Sequence, residues 1–194
     1  MDRLDQYSIE ALQLASVIGR EFALQILERI SISKNELYKS LEILKFQELI
    51  QQIRLIPEAE YMFKHVLTQE VTYETLLRQN RKNMHGLVGQ AIEELYQDRI
   101  EEQVNLLFHH FSLAENWPKA AVYGRQAASK AYKLSQYQDA LKMFEQAKKY
   151  LLKLPENPNR QEALIAMHSD MNWPLHFLGN HDRAWEICQE SESV

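Results

Sequence analysis

Only one stretch of this 194-residue chain loses helical periodicity. Ile50-Gln51-Gln52-Ile53-Arg54-Leu55-Ile56 is β-branched and partly alternating, and Pro57-Glu58-Ala59-Glu60 has the composition of a turn. Tyr61-Met62-Phe63-Lys64 can then return as a second strand. Everywhere else apolar residues recur at three and four. Five Gly and five Pro leave little material for loops. The chain is therefore expected to bury helix faces against one another, with one short hairpin. At 45% hydrophobic it can build a core, and its length allows one or two domains.

Before the hairpin, Ala11, Leu14, Ala15 and Ile18 share a helical face over residues 8–18, and Gly19 supplies a stop. Phe22, Ile26, Leu27 and Ile30 predict a second helix. Ser33-Lys34-Asn35-Glu36 has the capping-box pattern, so a third helix should open there, carry Leu37, Leu41 and Leu44 inward, and end near Gln47. Three helices and a hairpin make a winged helix-turn-helix over residues 1–64. Such a domain reads DNA with its third helix, so a DNA-binding transcriptional regulator is the alternative function. Charge weighs against it. Lys34, Lys39 and Lys45 are offset by Glu36, Glu42 and Glu48, the hairpin offers Arg54, and residues 1–64 hold eight Lys/Arg against ten Asp/Glu. Duplex affinity rests largely on neutralising phosphates, and the whole chain carries a net charge of −5.

Residues 65–98 read as connecting helices, with Met84, Leu87, Val88, Ala91, Ile92 and Leu95 as one stripe and Gly86 and Gly89 as close-packing positions. From 99 to 194 the pattern is a tetratricopeptide-like array. Ile100, Val104, Leu107, Phe111 and Ala114 mark one helix. Trp117-Pro118 opens the next, where Ala120, Gly124, Ala127, Ala128 and Ala131 form a stripe of small residues. Tyr137, Ala140, Phe144 and Ala147 fit the second helix of such a repeat, and the theme returns at Gly179 to Ala184. The spacing is irregular, with Ala120 to Ala140 much closer than Ala140 to Ala184. After the break at Pro155 to Asn159, a long helix through Ala163, Ile165, Ala166 and Met167 runs toward Leu178, and a last one begins near Asp182. Trp185, Ile187 and Cys188 are expected to lack a covering helix, as in a truncated array, which predicts fraying or self-association.

Charge is unevenly placed along this half. Between Asn116 and Leu154 the eight cations Lys119, Arg125, Lys130, Lys133, Lys142, Lys148, Lys149 and Lys153 face two anions, and beyond Pro155 the balance reverses. A charge run is most often a solvated face; as a functional surface it would dock an acidic protein partner.

The series Ala15-Ser16-Val17-Ile18-Gly19-Arg20-Glu21-Phe22, then Phe63-Lys64-His65 through Leu77, then Arg81, His85, Ile92 and Glu93, then His109-His110-Phe111 resembles one family. It is similar to the region that follows the nucleotide-binding domain in bacterial STAND-class signalling ATPases, including those fused to class III adenylate or guanylate cyclases or to serine/threonine kinases. The resemblance implies a winged helix feeding a superhelical repeat arm. It also implies a docking surface for the parent nucleotide-binding domain at Lys64, His65, Arg78, Arg81, Lys82 and His85. No Gly-x-x-x-x-Gly-Lys-Ser/Thr occurs here, so this chain has no phosphate cradle of its own.

No nucleophile-base-orienter set emerges from the spacing, and no cofactor or metal is implied. His65 and Glu70 are not on one helical face, and the adjacent His109 and His110 diverge by about 100°. Their expected roles are structural, as is that of Tyr73, with its hydroxyl bonded. No apolar run approaches the roughly 18 residues of a membrane span, and residues 1–20 lack the pattern of a secretory signal. The single cysteine, Cys188, fits a reducing compartment, so a cytoplasmic, non-enzymatic regulatory and protein-interaction segment is the expectation.

Overall fold

The computed structural model describes residues 4–192 and is mainly helical, with ten α-helices and one three-stranded sheet among those residues. It divides into two compact units at Gln97/Asp98. No helix among the described residues is long and apolar enough to cross a membrane.

In the first unit, α1 (Gln6–Ile18) starts where the Asp5 carboxylate accepts from the Ser8 amide at 3.0 Å and from the Ser8 hydroxyl at 2.7 Å. It ends at Gly19, whose φ of 151° is a conformation that only glycine adopts without strain. The chain then enters β1 (Glu21–Ala23) before α2 (Leu24–Ile30) and α3 (Lys34–Phe46). Phe22 is thus a strand residue, which corrects the expectation that it opens the second helix. Its helical spacing to Ile26 is overridden by a non-local match: Phe22 pairs with Tyr61 in the sheet, their rings stacked at 5.8 Å, and meets Phe63 edge-on at 5.9 Å.

The expected hairpin forms as β2 (Ile50–Arg54) and β3 (Glu60–Phe63), and the sheet order is β1-β3-β2, all antiparallel. The capping box does not form. Ser33 holds the N-cap position without a side-chain bond, and the Glu36 carboxylate instead pairs with Lys39 at 2.8 Å.

The helices read as a connector, α4 (Val66–Glu74) and α5 (Arg78–Leu95), pack within this unit, α4 on α1 and β3, α5 on α1 and α2. Leu87, expected on the buried stripe of α5, is 48% exposed, whereas Val88, Ala91 and Ile92 are buried.

The second unit is a succession of helices, α6 (Ile100–Leu113), α7 (Trp117–Lys133), α8 (Tyr137–Leu151), α9 (Pro158–Phe177) and α10 (His181–Glu192), each packed on the next. Asparagines start three of them: Asn116 accepts from the Lys119 amide, Asn157 from the Arg160 amide and Asn180 from the Arg183 amide, the first two followed by a proline in the first turn. Ala120, Gly124, Ala127, Ala128 and Ala131 are all buried, as their spacing predicts. Ile187 is also fully buried, with Met171 and Leu175 in the same cluster, which corrects its expected exposure. Trp185 and Cys188 are exposed, as expected.

A Cβ added at Gly124 would lie 2.6 Å from Phe108 Cε2 and 2.8 Å from Ala147 Cβ, one neighbour on α6 and the other on α8. Neither a packed ring nor a methyl group can swing away. Alanine would raise helix propensity by about 1 kcal/mol, but overpacking costs about 1–3 kcal/mol and here acts on two interfaces at once. Gly124→Ala is therefore expected to lower the stability of this unit. Urea unfolding followed by tryptophan fluorescence checks it, since Trp117, Trp173 and Trp185 all lie here.

Candidate functional site

Two surfaces combine the features of a binding site, one in each unit. The first is the stretch from the end of β3 to the start of α5. Thr72 is the only buried residue of α4, while Val66, Leu67, Val71 and the following Leu77 are exposed, Leu67 at 68% and Leu77 at 72%. Leu67 and Val71 are four apart, so they share one face of the helix. The opposite side is tied to α1, where Gln69 donates to the Ser16 carbonyl at 2.8 Å.

The six residues expected to dock a further domain are distributed around this face. Lys64 pairs with Glu48 at 3.0 Å, and His65 is exposed, starting α4 through its backbone without a side-chain cap. Arg78, Arg81, Lys82 and His85 lie in the first turns of α5, where the positive end of the helix dipole disfavours cations. Arg81 offsets this by donating to the carbonyls of Glu74 at 2.7 Å and Leu76 at 2.9 Å, at the negative end of α4. Its guanidinium also lies 4.6 Å from the Tyr73 ring centre, and the Tyr73 hydroxyl bonds His85 Nε2 at 2.9 Å. Arg81, Tyr73 and His85 thus form the hinge pin of the α4–α5 corner.

The second surface is an open groove of about 960 Å³. Helix α7 forms its floor, the first turn of α6 one wall, and α9 with the end of α8 the other. Val104, Ala121, Val122, Leu151, Leu154 and Met167 supply apolar lining, and Arg125, Lys130 and Lys133 project from α7. Glu101, Glu102 and Asp170 stand on the walls.

These three cations are the members of the eight-residue basic run that come together. Arg125 Nε donates to Asp170 Oδ2 at 2.7 Å, and Lys130 Nζ donates to the Glu101 and Glu102 carbonyls at 3.0 and 3.1 Å. The other five are dispersed. Lys119 lies 4.8 Å from the Phe111 ring centre, Lys142 pairs with Asp139 at 3.6 Å, and Lys149 is exposed. Lys148 is bound to Glu190, and Lys153 sits 3.5 Å over the Trp117 ring, which itself stacks on Tyr150. The run is mostly internal ties rather than one basic face.

His110 is fully buried while its neighbour His109 is exposed, as their divergence on a helix requires. His168 is the functional candidate that composition did not single out. Its signal was available, because Leu164, Met167, His168, Met171 and Leu175 follow one helical stripe and all are buried.

Two of the three lysines of α3 are neutralised locally, Lys39 by Glu36 at 2.8 Å and Lys45 by Glu42 at 2.6 Å. With so little free positive charge on that helix, duplex DNA at physiological salt is expected to bind no tighter than the roughly 10⁻⁴–10⁻⁶ M of non-specific association. Fluorescence anisotropy with labelled duplexes measures this.

No protein family, characterised protein or solved structure matches the chain, which leaves its own geometry as the ground for a function.

Proposed function

We propose that this chain is a non-catalytic regulatory and protein-interaction segment of a multidomain signalling ATPase of the STAND class, the kind associated with adenylate cyclases. The first unit is a winged helix-turn-helix used for protein docking rather than for DNA. Its order of elements supports this, with one strand between α1 and α2, two after α3, and the central place in the sheet taken by β3. The second unit is a tetratricopeptide-like arm. Its small-residue stripe on α7, its helix-on-helix succession and its groove support that reading.

The observation that carries the proposal is the outward apolar face of α4. A nine-residue helix that buries only Thr72 and exposes Val66, Leu67 and Val71 contributes little to its own unit's core. An apolar face of that kind is suited to burial against another domain. In the proposed protein that domain is the nucleotide-binding one, and the groove of the second unit takes the protein partner whose arrival is signalled.

The test is titration of this chain with the nucleotide-binding domain encoded in the same reading frame, produced separately. Binding is expected, and Leu67→Asp with Val71→Asp should weaken it at least tenfold, about 1.4 kcal/mol, without loss of helical circular dichroism. Absence of binding, or binding indifferent to both substitutions, counts against the docking role. Sequence-specific submicromolar DNA binding would establish the transcriptional regulator instead.

A further inference from the structure

His168 of α9 is 2% exposed, and neither of its ring nitrogens has a hydrogen-bond partner. Its Nε2 faces Glu190 Oε2 of α10 at 3.8 Å, beyond hydrogen-bond reach. That carboxylate is already engaged. Lys148 of α8 binds the same oxygen, and Arg183 of α10 donates to Oε1 at 3.1 Å. The groups facing the imidazole are thus one anion and two cations, contributed by α8 and α10. Three helices meet at a side chain that can gain a charge near neutral pH.

We propose that proton uptake by His168 releases α10 from α8 and α9, so that this helix is docked at neutral pH and undocked in mildly acidic solution. The imidazole already faces two cations against the one carboxylate of Glu190, with Arg183 shared between Glu190 and Glu186, and a third cation at this buried position would have no hydrogen-bond acceptor within reach. Glu190 could take a further donor only if the 3.8 Å gap to the imidazole closed, and Lys148 and Arg183 hold the carboxylate where it is. The cheaper response is to move α10, because Ile187 is its only buried residue. Lifting the helix would hydrate the imidazolium and open the cluster that Ile187 shares with Met171 and Leu175.

The direction follows from the site. Burial first, then Lys148 and to a lesser degree Arg183, hold the His168 pKa below its ordinary 6.5, with Glu190 opposing. Glu190 itself is held below its ordinary value by the Lys148 bond and stays ionised. An undocked His168 takes its proton as the pH falls through about 6.5, whereas the docked one resists. Docking strength is therefore complete above that pH and declines as the pH drops from there toward the docked-state value.

Amide hydrogen exchange over residues 183–191, corrected for the intrinsic pH dependence, tests the proposal at about pH 7.5 and about pH 5.5. Protection of α10 is expected to fall several-fold, up to the roughly tenfold that one group of ordinary pKa can supply over this interval, while that of α7 holds, and His168→Leu should keep α10 protected at both pH values. Because any substitution in a packed site can loosen the helix by itself, the His168 ring protons are also followed by NMR in the unchanged protein. Their midpoint should lie below 6.5, matching the loss of α10 protection. Equal protection at both pH values, a pH-dependent loss that persists in His168→Leu, or a His168 midpoint at or above the ordinary value would overturn the proposal.

Discussion

The second unit depends on how closely α7 can approach the helices on either side of it. At Gly124 the distance is too short for even a methyl group, with Phe108 of α6 on one side and Ala147 of α8 on the other. Alanines continue the same narrow seam in both directions along α7, and Ala140 and Ala147 meet it from α8. Large residues then lock the seam from outside it: Phe144 within the core, Phe111 stacked on Tyr123, and Trp117 stacked on Tyr150. Dense packing of small against large is what lets so few residues exclude water from a layer only two helices deep. The groove is a by-product of this closeness. With α6, α8 and α9 gathered around one slim helix, the side of α7 that they leave open becomes a floor, and the flanking helices become walls.

In the first unit the equivalent constraint is the aromatic contact that recruits β1 to the hairpin. Phe22 stacks on Tyr61 and meets Phe63, while Phe63 donates its amide to the Arg20 carbonyl at 2.9 Å and Leu24 to that of Ala59 at 2.8 Å. A three-residue strand is too short to hold by itself. It persists because Gly19 turns the chain sharply out of α1, and because Phe22 buries its ring under β3 at the center of the sheet. The hairpin is thereby tied back to α1 and α2. It is also tied to the end of α5, where the Tyr96 hydroxyl donates to Glu58 at 3.0 Å.

Legibility from the residues alone divides along the same line between local and distant causes. Helices whose faces repeat within the segment, α1, α3 and α6 to α10, were visible with boundaries close to those observed, and so was the hairpin, where the period changes; α5 was visible only through its stripe from Met84 onward, because its first turns, from Arg78, are polar and carry no apolar period. Phe22 was not, because its partner Tyr61 lies far along the chain while Ile26 and Ile30 stand at helical spacing beside it. The Ser33 to Glu36 pattern also misled, since Glu36 found a nearer cation in Lys39 than the backbone donor a capping box would offer. Ile187 has no later helix to pack on, but an earlier one, α9, covers it through Met171 and Leu175. Of the candidate surfaces, the corner at Tyr73, Arg81 and His85 was indicated, but the apolar face of α4 was not, because exposure is a property of what an element packs against.

The fate of the basic run shows why a count of charges cannot define a binding surface. A long cation at a helix surface has two ways to lower its energy without a partner molecule: a nearby carboxylate or carbonyl, or the face of an aromatic ring. Lys148 and Arg125 take carboxylates from later helices, Lys130 takes carbonyls at the start of an earlier one, and Lys153 takes a tryptophan. The acidic C-terminal stretch is thus partly the counter-charge for the basic one, and the reversal of sign along the sequence becomes a set of interhelical ties. What such ties leave for recognition is the surface they do not use, which in the groove is mostly aliphatic. The groove therefore presents mainly shape and apolar contact, with Arg125 committed to Asp170 and Lys130 to the carbonyls of α6.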